Sequence, residues 1–299
     1  MSRAHSMLGF PAKWLAMTAA LMFLGASGVI ASTRLDHVIV LVLENTSYDQ
    51  ARTQPYIASL MAKGTTFTNS YAITHPSQPN YLALWAGSTL GVTDNTCPAP
   101  GAPLMAENLG HACEAARLTW RSYSENLPGP GSTICSADNG LYTRKHHPCP
   151  DFGNLNHQNE RPYSDLAADI AHGTLPGLAL VIPNNCDNKL DCGADGWLSR
   201  NVPAMLDAVG PTGALILTWD EDDRNSSNHI LTVFVGAPVK RGYLSTARVN
   251  HYTILRALCE CLGLTPFGAA ASQASITDVW ANLTAVHAPS WGGLKVIYR

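Results

Sequence analysis

Apolar runs and amphipathic segments alternate along the chain after about residue 32. Runs rich in β-branched and aliphatic residues predict strands over residues 37–43, 65–73, 118–126, 177–185, 213–223 and 229–239. Helical spacing, or a glycine that ends the pattern, predicts helices over residues 55–64, 79–87, 199–210 and 251–263. Strands that alternate with helices indicate an α/β fold, with a mostly parallel central sheet flanked by helices.

Residues 1–31 have the pattern of a secretory signal peptide. Basic residues precede an apolar run over residues 14–31, and small residues at Val29 and Ala31 fit a cleavage site after Ala31. We therefore expect export, followed by folding of residues 32–299 as a single domain. The alternative is a membrane anchor, because the apolar run is nearly long enough to span a bilayer. No later segment is expected to span one, so we predict no stable membrane insertion after cleavage.

The composition is that of a folded exported protein. Hydrophobic residues make up 46% of the 299 residues, and the net charge of −3 gives no basic surface for nucleic acid. The even count of eight cysteines favours disulfides over zinc ligands in an exported chain. Cys186 and Cys192 flank a short loop and could pair locally. Cys259 and Cys261 lie one residue apart in a predicted helix, so we expect them to point to different sides and not to pair together.

Polar residues collect where the predicted strands end. Glu44 and Asn45 follow the first strand, Ser77 follows the second, and Asp220 and Glu221 end a later one. In α/β sheets, ligands bind beyond the carboxyl ends of the strands. Carboxylate and amide oxygens of this kind are typical of a site that binds a divalent cation or a phosphoryl group.

Ser77 lies between Pro76 and Pro79 at the predicted start of a helix. The N-terminus of a helix attracts anions, since it presents free N–H groups and the positive end of the helix dipole. The two prolines restrict the backbone around the serine. The pattern therefore predicts a rigidly held nucleophile for phosphate, activated by a metal or a base. The alternative interpretation is an ordinary helix N-cap, a role that serine fills very often.

Four motifs resemble those of a known family and occur in the same order. They are E-N-T-S-Y-D (residues 44–49), T-H-P-S-Q-P-N-Y (74–81), Y-T-R-K-H-H-P (142–148) and T-W-D-E-D-D (218–223), the last followed by Asn228 and His229. These motifs are similar to those of the bacterial secreted acid phosphatases and phospholipase C-type phosphoesterases, a branch of the alkaline phosphatase superfamily. The resemblance covers nearly the whole chain after the signal peptide, and it implies an alkaline-phosphatase-like fold.

The resemblance also implies a role for each matched residue. Ser77 would be the nucleophile that takes the phosphoryl group. A divalent metal ion would be held by Glu44, Asn45, Asp220 and Glu221. The groups that contact phosphate oxygens or protonate the leaving group would be Lys145, His146 and His229. Further contacts to the substrate would come from His75, Asn80 and His147.

One stretch departs from the family pattern. Where the family has N-D-M-H-D, this chain has D-N-K-L-D over residues 187–191, so Leu190 occupies the histidine position and Asn188 the position of the preceding acid. Lys189 could supply a replacement charge, and we count it among the predicted substrate-binding residues. The change raises the possibility of an impaired enzyme. An exported binding protein that has lost activity is therefore one alternative.

The sequence as a whole predicts a secreted acid phosphatase, extracellular or in the periplasm or cell envelope. It would hydrolyse phosphate monoesters through a phosphoserine and require a divalent metal. The substrate would be a small phosphate ester or a phospholipid headgroup. Residues 127–163, rich in Pro, Gly, His, Cys and Asn, would form a substrate-covering loop region. The closest alternative enzyme is a phospholipase C-like phosphodiesterase with the same core.

Overall fold

The computed structural model describes residue 1 and residues 33–281. Residues 33–281 belong to one compact unit. The signal-peptide prediction rests on residues outside the described part and stays a prediction. Within residues 33–281, no helix is both long enough and apolar enough to cross a bilayer.

Strands and helices alternate along most of this part of the chain. The strands are β1 (Val38–Leu43), β2 (Thr65–Phe67), β3 (Ser70–Tyr71), β4 (Trp120–Ser124), β5 (Ser136–Ala137), β6 (Tyr142–Thr143), β7 (Glu160–Pro162), β8 (Leu178–Ile182), β9 (Ala214–Trp219), β10 (Thr232–Val235), β11 (Tyr243–Ser245) and β12 (Val249–Asn250). The α-helices are α1 (Tyr48–Ala51), α2 (Pro55–Lys63), α3 (Ser77–Ala86), α4 (Leu109–Ala115), α5 (Ser164–Ala171), α6 (Ala194–Val209) and α7 (His251–Leu262).

Eight of the strands form one sheet, in the order β11-β2-β10-β9-β1-β8-β4-β7. Neighbouring strands are parallel except at β10, which runs antiparallel to both β9 and β2. The predicted mostly parallel α/β sheet is therefore confirmed. The small strands β3 and β12 pair with each other in parallel, and β5 pairs with β6.

The central strand β1 contributes to two separate apolar cores. Val38, Val40 and Val42 pack into one cluster with side chains of α3 and α7. The intervening Ile39, Leu41 and Leu43 pack into the other cluster with side chains of α2 and α6. Successive side chains of a strand point to opposite faces, so a strand covered on both faces needs an unbroken apolar run.

The structure differs from the predicted elements at several places, of which three bear on the site. The strand predicted over residues 65–73 is divided into β2 and β3. Helix α3 begins at Ser77, two residues before the predicted start. Pro79 is tolerated at the third helical position, because the N–H that proline lacks would have no partner within the helix there. The loop predicted over residues 127–163 contains β5, β6 and several short 3-10 turns.

Two disulfides are present in the described residues. Cys186 pairs with Cys192, as the sequence suggested, and Cys97 pairs with Cys135, with Cα atoms 5.8 Å apart. Cys259 and Cys261 do not pair together, which agrees with the prediction from their spacing. They are buried free thiols, as are Cys113 and Cys149.

Candidate active site

The adjacent parallel strands β1 and β9 bring two acidic motifs together. Leu43 pairs with Trp219 at the carboxyl ends of these strands, so Glu44 and Asp220 follow at the same level. The backbone N–H of Asn45 donates to Oδ1 of Asp220 at 3.1 Å. The sheet register therefore accounts for the meeting of residues that are far apart in the chain.

The buried carboxylate of Glu44 is the centre of the site. Its Oε1 accepts a hydrogen bond from the hydroxyl of Tyr81 at 2.8 Å. Its Oε2 accepts from Nδ2 of Asn45 at 2.8 Å and from Oγ of Ser77 at 3.4 Å. Nε2 of His146 lies 3.1 Å from the same Oε2. Strand β1, helix α3 and the 127–163 region thus converge on one side chain.

Ser77 is the first residue of α3, and its side chain is buried. The N-cap position belongs to Pro76, which provides no side-chain cap. The serine hydroxyl donates to Glu44 and does not cap the helix. Ser77 is therefore not an ordinary N-cap residue, which was the alternative interpretation of the sequence. The next N–H of the helix, that of Gln78, donates to Oδ1 of Asn95 at 3.0 Å.

Three carboxylates lie close enough together for each to affect the ionisation of another. Burial raises the pKa of Glu221 to about 8, and the charges of Asp220 and Glu44 act in the same direction. Burial, followed by the charge of Glu44, also raises the pKa of Asp220 well above its usual value. Burial likewise raises the pKa of Glu44, against the opposing charge of Lys145. The cluster is therefore an environment that positive charge would stabilise.

One carboxylate oxygen of this cluster, Oδ2 of Asp220, is buried without a hydrogen-bond partner in the described residues. The described residues contain no group of three or more His, Cys, Asp or Glu side chains arranged to hold a metal ion. A cation would therefore also need the oxygens of Ser77 and Asn45. On its chemistry this set of donors fits a divalent cation, because hard oxygen ligands predominate and one carboxylate oxygen lacks a partner.

His75 and Asn80 contact the cluster from the side of α3. The two ring nitrogens of His75 lie 3.0 Å from Oε2 of Glu221 and 3.1 Å from Oδ1 of Asp222. Nδ2 of Asn80 donates to Oε2 of Glu221 at 3.4 Å. Oδ1 of Asn80 accepts from the backbone N–H of Thr74, so the side chain also shapes the segment that precedes the nucleophile. The substrate-binding role of both residues stays a prediction.

Lys145 and His146 reach the site from a short 3-10 turn in the 127–163 region. Burial lowers the pKa of His146 to about 3, and the charge of Lys145 acts in the same direction. The imidazole is therefore neutral over the usual assay range. Lys145 is half-buried, and its charge also affects Glu44. The structure thus brings both residues together with Ser77 and Glu44.

Two of the predicted histidines have other surroundings. His147 is fully buried, with Nε2 2.7 Å from Oγ of Ser122 and Nδ1 3.2 Å from the hydroxyl of Tyr142. His229 donates from Nε2 to the backbone carbonyl of Thr68 at 3.1 Å. Its ring is stacked against two tyrosines, Tyr48 and Tyr71. These contacts serve the fold, and within residues 33–281 neither histidine forms a hydrogen bond with Ser77.

The stretch that departs from the family pattern lies beside the site. The backbone carbonyl of Asn188 accepts from the N–H of Glu44 at 3.0 Å. The charge of Lys189 acts on both Glu44 and His146. Leu190, at the position of the family histidine, packs instead against the apolar cluster that contains α6. The charge of Lys189 thus acts on the site from the residue that precedes the family's histidine position.

Sequence reasoning gave no role to Tyr81, Asp222 or His251. Tyr81 follows Ser77 by four residues, so both side chains lie on the same face of α3, and this spacing could have identified it. Asp222 accepts from the backbone N–H groups of Ser226 and Asn228, both at 2.8 Å, and fixes the loop after β9. Nε2 of His251 donates to the carbonyl oxygen of Asp220 at 2.7 Å. Tyr81 and Asp222 belong to motifs quoted from the sequence, and His251 is the first residue of the helix predicted over residues 251–263.

A buried serine at a helix start, facing a carboxylate cluster at the carboxyl edge of a parallel sheet, is the arrangement of a hydrolase that transfers phosphoryl groups. Residues 50–265 match the Phosphoesterase family, and the chain belongs to this family. The predicted family resemblance and the prediction of a hydrolase acting on phosphate esters are therefore confirmed.

Three relatives that match this chain are named as phosphatases, which agrees with this assignment. The chain is 40% identical over 254 residues to the phosphatidylinositol-3-phosphatase of Mycobacterium tuberculosis, covering 82% of this chain and 83% of that protein. It is 28% identical over 261 residues to an acid phosphatase of Aspergillus fumigatus, covering 81% of this chain. The chain spans 58% of the length of that fungal relative and 60% of the phosphate-repressible acid phosphatase of Penicillium chrysogenum.

Solved structures confirm the fold. A protein of the alkaline phosphatase superfamily from Vibrio parahaemolyticus matches with a TM-score of 0.58 at 10% identity, over 82% of this chain and 72% of that one. The phosphonate monoester hydrolase of Agrobacterium radiobacter matches with a TM-score of 0.51 at 14% identity, over 77% and 74%. The predicted alkaline-phosphatase-like fold is therefore correct.

Proposed function

We propose that this protein is an exported acid phosphatase that hydrolyses phosphate monoesters through a phosphoserine at Ser77, with a divalent metal ion as cofactor. The observation that carries the proposal is the position of the Ser77 hydroxyl. It lies at the start of α3 and donates to Glu44 within the carboxylate cluster. Relatives named acid phosphatase support the choice of a phosphomonoesterase.

In the first step, Oγ of Ser77 attacks phosphorus, and the bond between phosphorus and the leaving oxygen breaks. The hydrogen bond to Oε2 of Glu44 orients the hydroxyl, the serine proton passes to this carboxylate, and the leaving oxygen takes up a proton from water. The positive end of the α3 helix dipole and the Lys145 ammonium stabilise the charged phosphoryl oxygens. Water then cleaves the phosphoserine, releases phosphate and restores the hydroxyl.

The metal would be held by Glu44, Asn45, Asp220 and Glu221, together with Ser77. Bound there, it would lower the pKa of the serine hydroxyl and neutralise phosphate charge. Support comes from the unpartnered Oδ2 of Asp220 and from the raised pKa values of the clustered carboxylates.

Substrate and location are also part of the proposal. The mycobacterial relative, matched over most of both chains, favours a phosphate on an inositol lipid headgroup as a candidate substrate. Two disulfides and the signal-peptide pattern support export, because disulfides persist in oxidising compartments.

The test is phosphate release from an aryl phosphate between pH 5 and 7 by the exported protein. Ser77→Ala should lower kcat by roughly a thousandfold or more, because the nucleophile is removed. Ser199→Ala, which changes an exposed helix serine whose hydroxyl donates to the carbonyl of Gly196, is the matched control and should keep its activity. Treatment with a chelator should abolish release, and added divalent metal should restore it. Acid quenching should trap phosphate on Ser77, where mass spectrometry can locate it.

Other outcomes would select an alternative. Faster turnover of a bis-aryl diester than of the monoester would favour the phosphodiesterase. Metal or phosphate binding without any turnover, with activity gained in Leu190→His, would favour the binding protein. Equal release by the Ser77→Ala variant and the original protein would refute the proposed nucleophile.

A further inference from the structure

A cleft of about 610 Å³ opens beside the carboxylate cluster. His75 lines this cleft and also contacts Glu221, so the cleft and the site share one side chain. The other lining residues that matter here are Tyr71, Asp222, Arg224 and Arg248. The proposed mechanism uses none of these four residues.

The cleft carries uncompensated positive charge. Arg224 and Arg248 are both exposed, and neither forms an ion pair with any residue in the described part of the chain. The one acidic side chain in the lining, Asp222, is fully buried. Its carboxylate accepts backbone N–H groups of Arg224 at 2.7 Å and of Ser226 at 2.8 Å, and it also contacts His75. Its charge is therefore already satisfied inside the protein.

Both arginines project from backbone that the fold holds in place. Arg248 directly precedes β12, which pairs with β3, and its guanidinium lies 4.3 Å from the ring centroid of Tyr71. Arg224 has a φ of 69°, in the left-handed region that favours glycine, and Asp222 holds it there. A non-glycine residue is strained in this conformation, and the hydrogen bond to the buried Asp222 carboxylate stabilises it there.

The positive charge extends towards the catalytic groups. Arg224 lies three residues after Glu221, and its backbone N–H donates to Oδ1 of Asp222, the same oxygen that His75 contacts. A guanidinium binds phosphate through two parallel hydrogen bonds, which makes arginine the preferred residue for fixed phosphate sites. A phosphate ester at Ser77 could therefore direct a second anionic group of the same molecule towards these arginines.

We propose that this cleft is a second anion subsite, in which Arg224 and Arg248 bind a further phosphate or phosphodiester of the substrate. The inference rests on the proposed phosphatase function and narrows its substrate class. The favoured substrates are polyol esters that carry two phosphate groups. One source is a soluble bisphosphate, and the other is a phosphoinositide, whose diester is the second anion.

The test compares Arg224→Asn, Arg248→Gln and the double variant with the original protein. Asparagine tolerates the left-handed conformation, so the first change removes charge without forcing the loop to rearrange. Arg241→Gln is the matched control, because this exposed arginine lines another cleft, beyond the far end of β10. The substrates are an aryl phosphate, a hexose bisphosphate with its monophosphate, and a short-chain phosphatidylinositol 3-phosphate below its micelle concentration.

The double variant should lose about 10-fold or more in kcat/KM on the substrates with two anions, mainly through KM. Its turnover of the aryl phosphate and the hexose monophosphate should stay within about twofold of the original, as should all activities of the control variant. A loss confined to the hexose bisphosphate identifies a soluble source, and a loss confined to the lipid identifies a headgroup. Equal losses of activity on every substrate would overturn the subsite. So would the absence of any loss on the hexose bisphosphate and on the lipid, the two substrates with two anionic groups. Failure of the original protein to hydrolyse the aryl phosphate would instead count against the proposed function.

Discussion

Tyr81 offers the sharpest test of the Glu44-centred site. Tyr81→Phe removes one hydroxyl and leaves the buried ring in place within the apolar cluster. The lost hydrogen bond is the one of 2.8 Å to Oε1 of Glu44. Burial, followed by the charge of Glu44, raises the pKa of Tyr81 well above its usual value, so the hydroxyl is protonated and donates throughout the assay range.

The size of the effect follows from the burial of both partners. Glu44 and Tyr81 are almost entirely inaccessible to water, so no solvent molecule replaces the lost donor without rearrangement. A hydrogen bond to a charged group contributes about 1.5–3 kcal/mol. Without this hydrogen bond the Glu44 carboxylate is less well positioned in the transition state. The lost energy corresponds to a fall in kcat/KM of roughly 10- to 100-fold.

The assay is aryl phosphate hydrolysis, together with a metal titration and thermal unfolding of each variant. Tyr123→Phe is the matched control, since Tyr123 is also buried and donates to a carboxylate, Oδ2 of Asp169 at 2.6 Å, outside the site. Both variants should lose stability, but only Tyr81→Phe should lose activity and metal affinity. Unchanged kcat/KM in Tyr81→Phe, with the same loss of stability as the control, would show that Tyr81 serves only the fold.

Two further predictions concern stability. Burial raises the pKa of Glu160 to about 7 against an unfolded value of 4.5, so the stability associated with this group is full below pH 4.5 and is lost as pH rises through 7. Glu160→Gln should therefore match the original protein at pH 4 and exceed it by about 3 kcal/mol at pH 8 in denaturant titrations, whereas an equal difference at both pH values would contradict this reasoning. The Cys97–Cys135 disulfide closes a loop with a sequence separation of 38. Replacing both cysteines by serine should lower the free energy of unfolding by about 4 kcal/mol, and an unchanged melting temperature would argue against a stabilising bridge.

The central strands of the sheet, and the meeting of acidic residues at their carboxyl ends, could be predicted from the sequence. Strands covered on both faces need unbroken apolar runs, and residues 37–43 and 213–223 contain them. Parallel neighbours end at the same edge, which accounts for the meeting of Glu44 and Asp220. The direction of β10 could not be predicted, because a short apolar strand has the same pattern whether it runs parallel or antiparallel to its neighbours.

Contacts between loops that are distant in the chain could not be predicted from the sequence pattern. His146 and His229 both belong to family motifs, yet His146 reaches Glu44 while His229 bonds to the carbonyl of Thr68. Their different surroundings depend on how the 127–163 region and the loop after β9 fold, and neither has a periodic pattern. The cleft with Arg224 and Arg248 was missed for the same reason, since the pairing of β3 with β12 brings its walls together.

The alternation of β1 between two cores sets a limit on how this protein can change. A one-residue deletion within Val38–Leu43 would exchange every following side chain between the two faces of the sheet. The same deletion would displace Glu44 from Ser77 and Asp220. Insertions and deletions in this strand should therefore destroy folding and catalysis together, and recombination with relatives should succeed only when the exchanged segment carries the strand and its acidic motif as one unit.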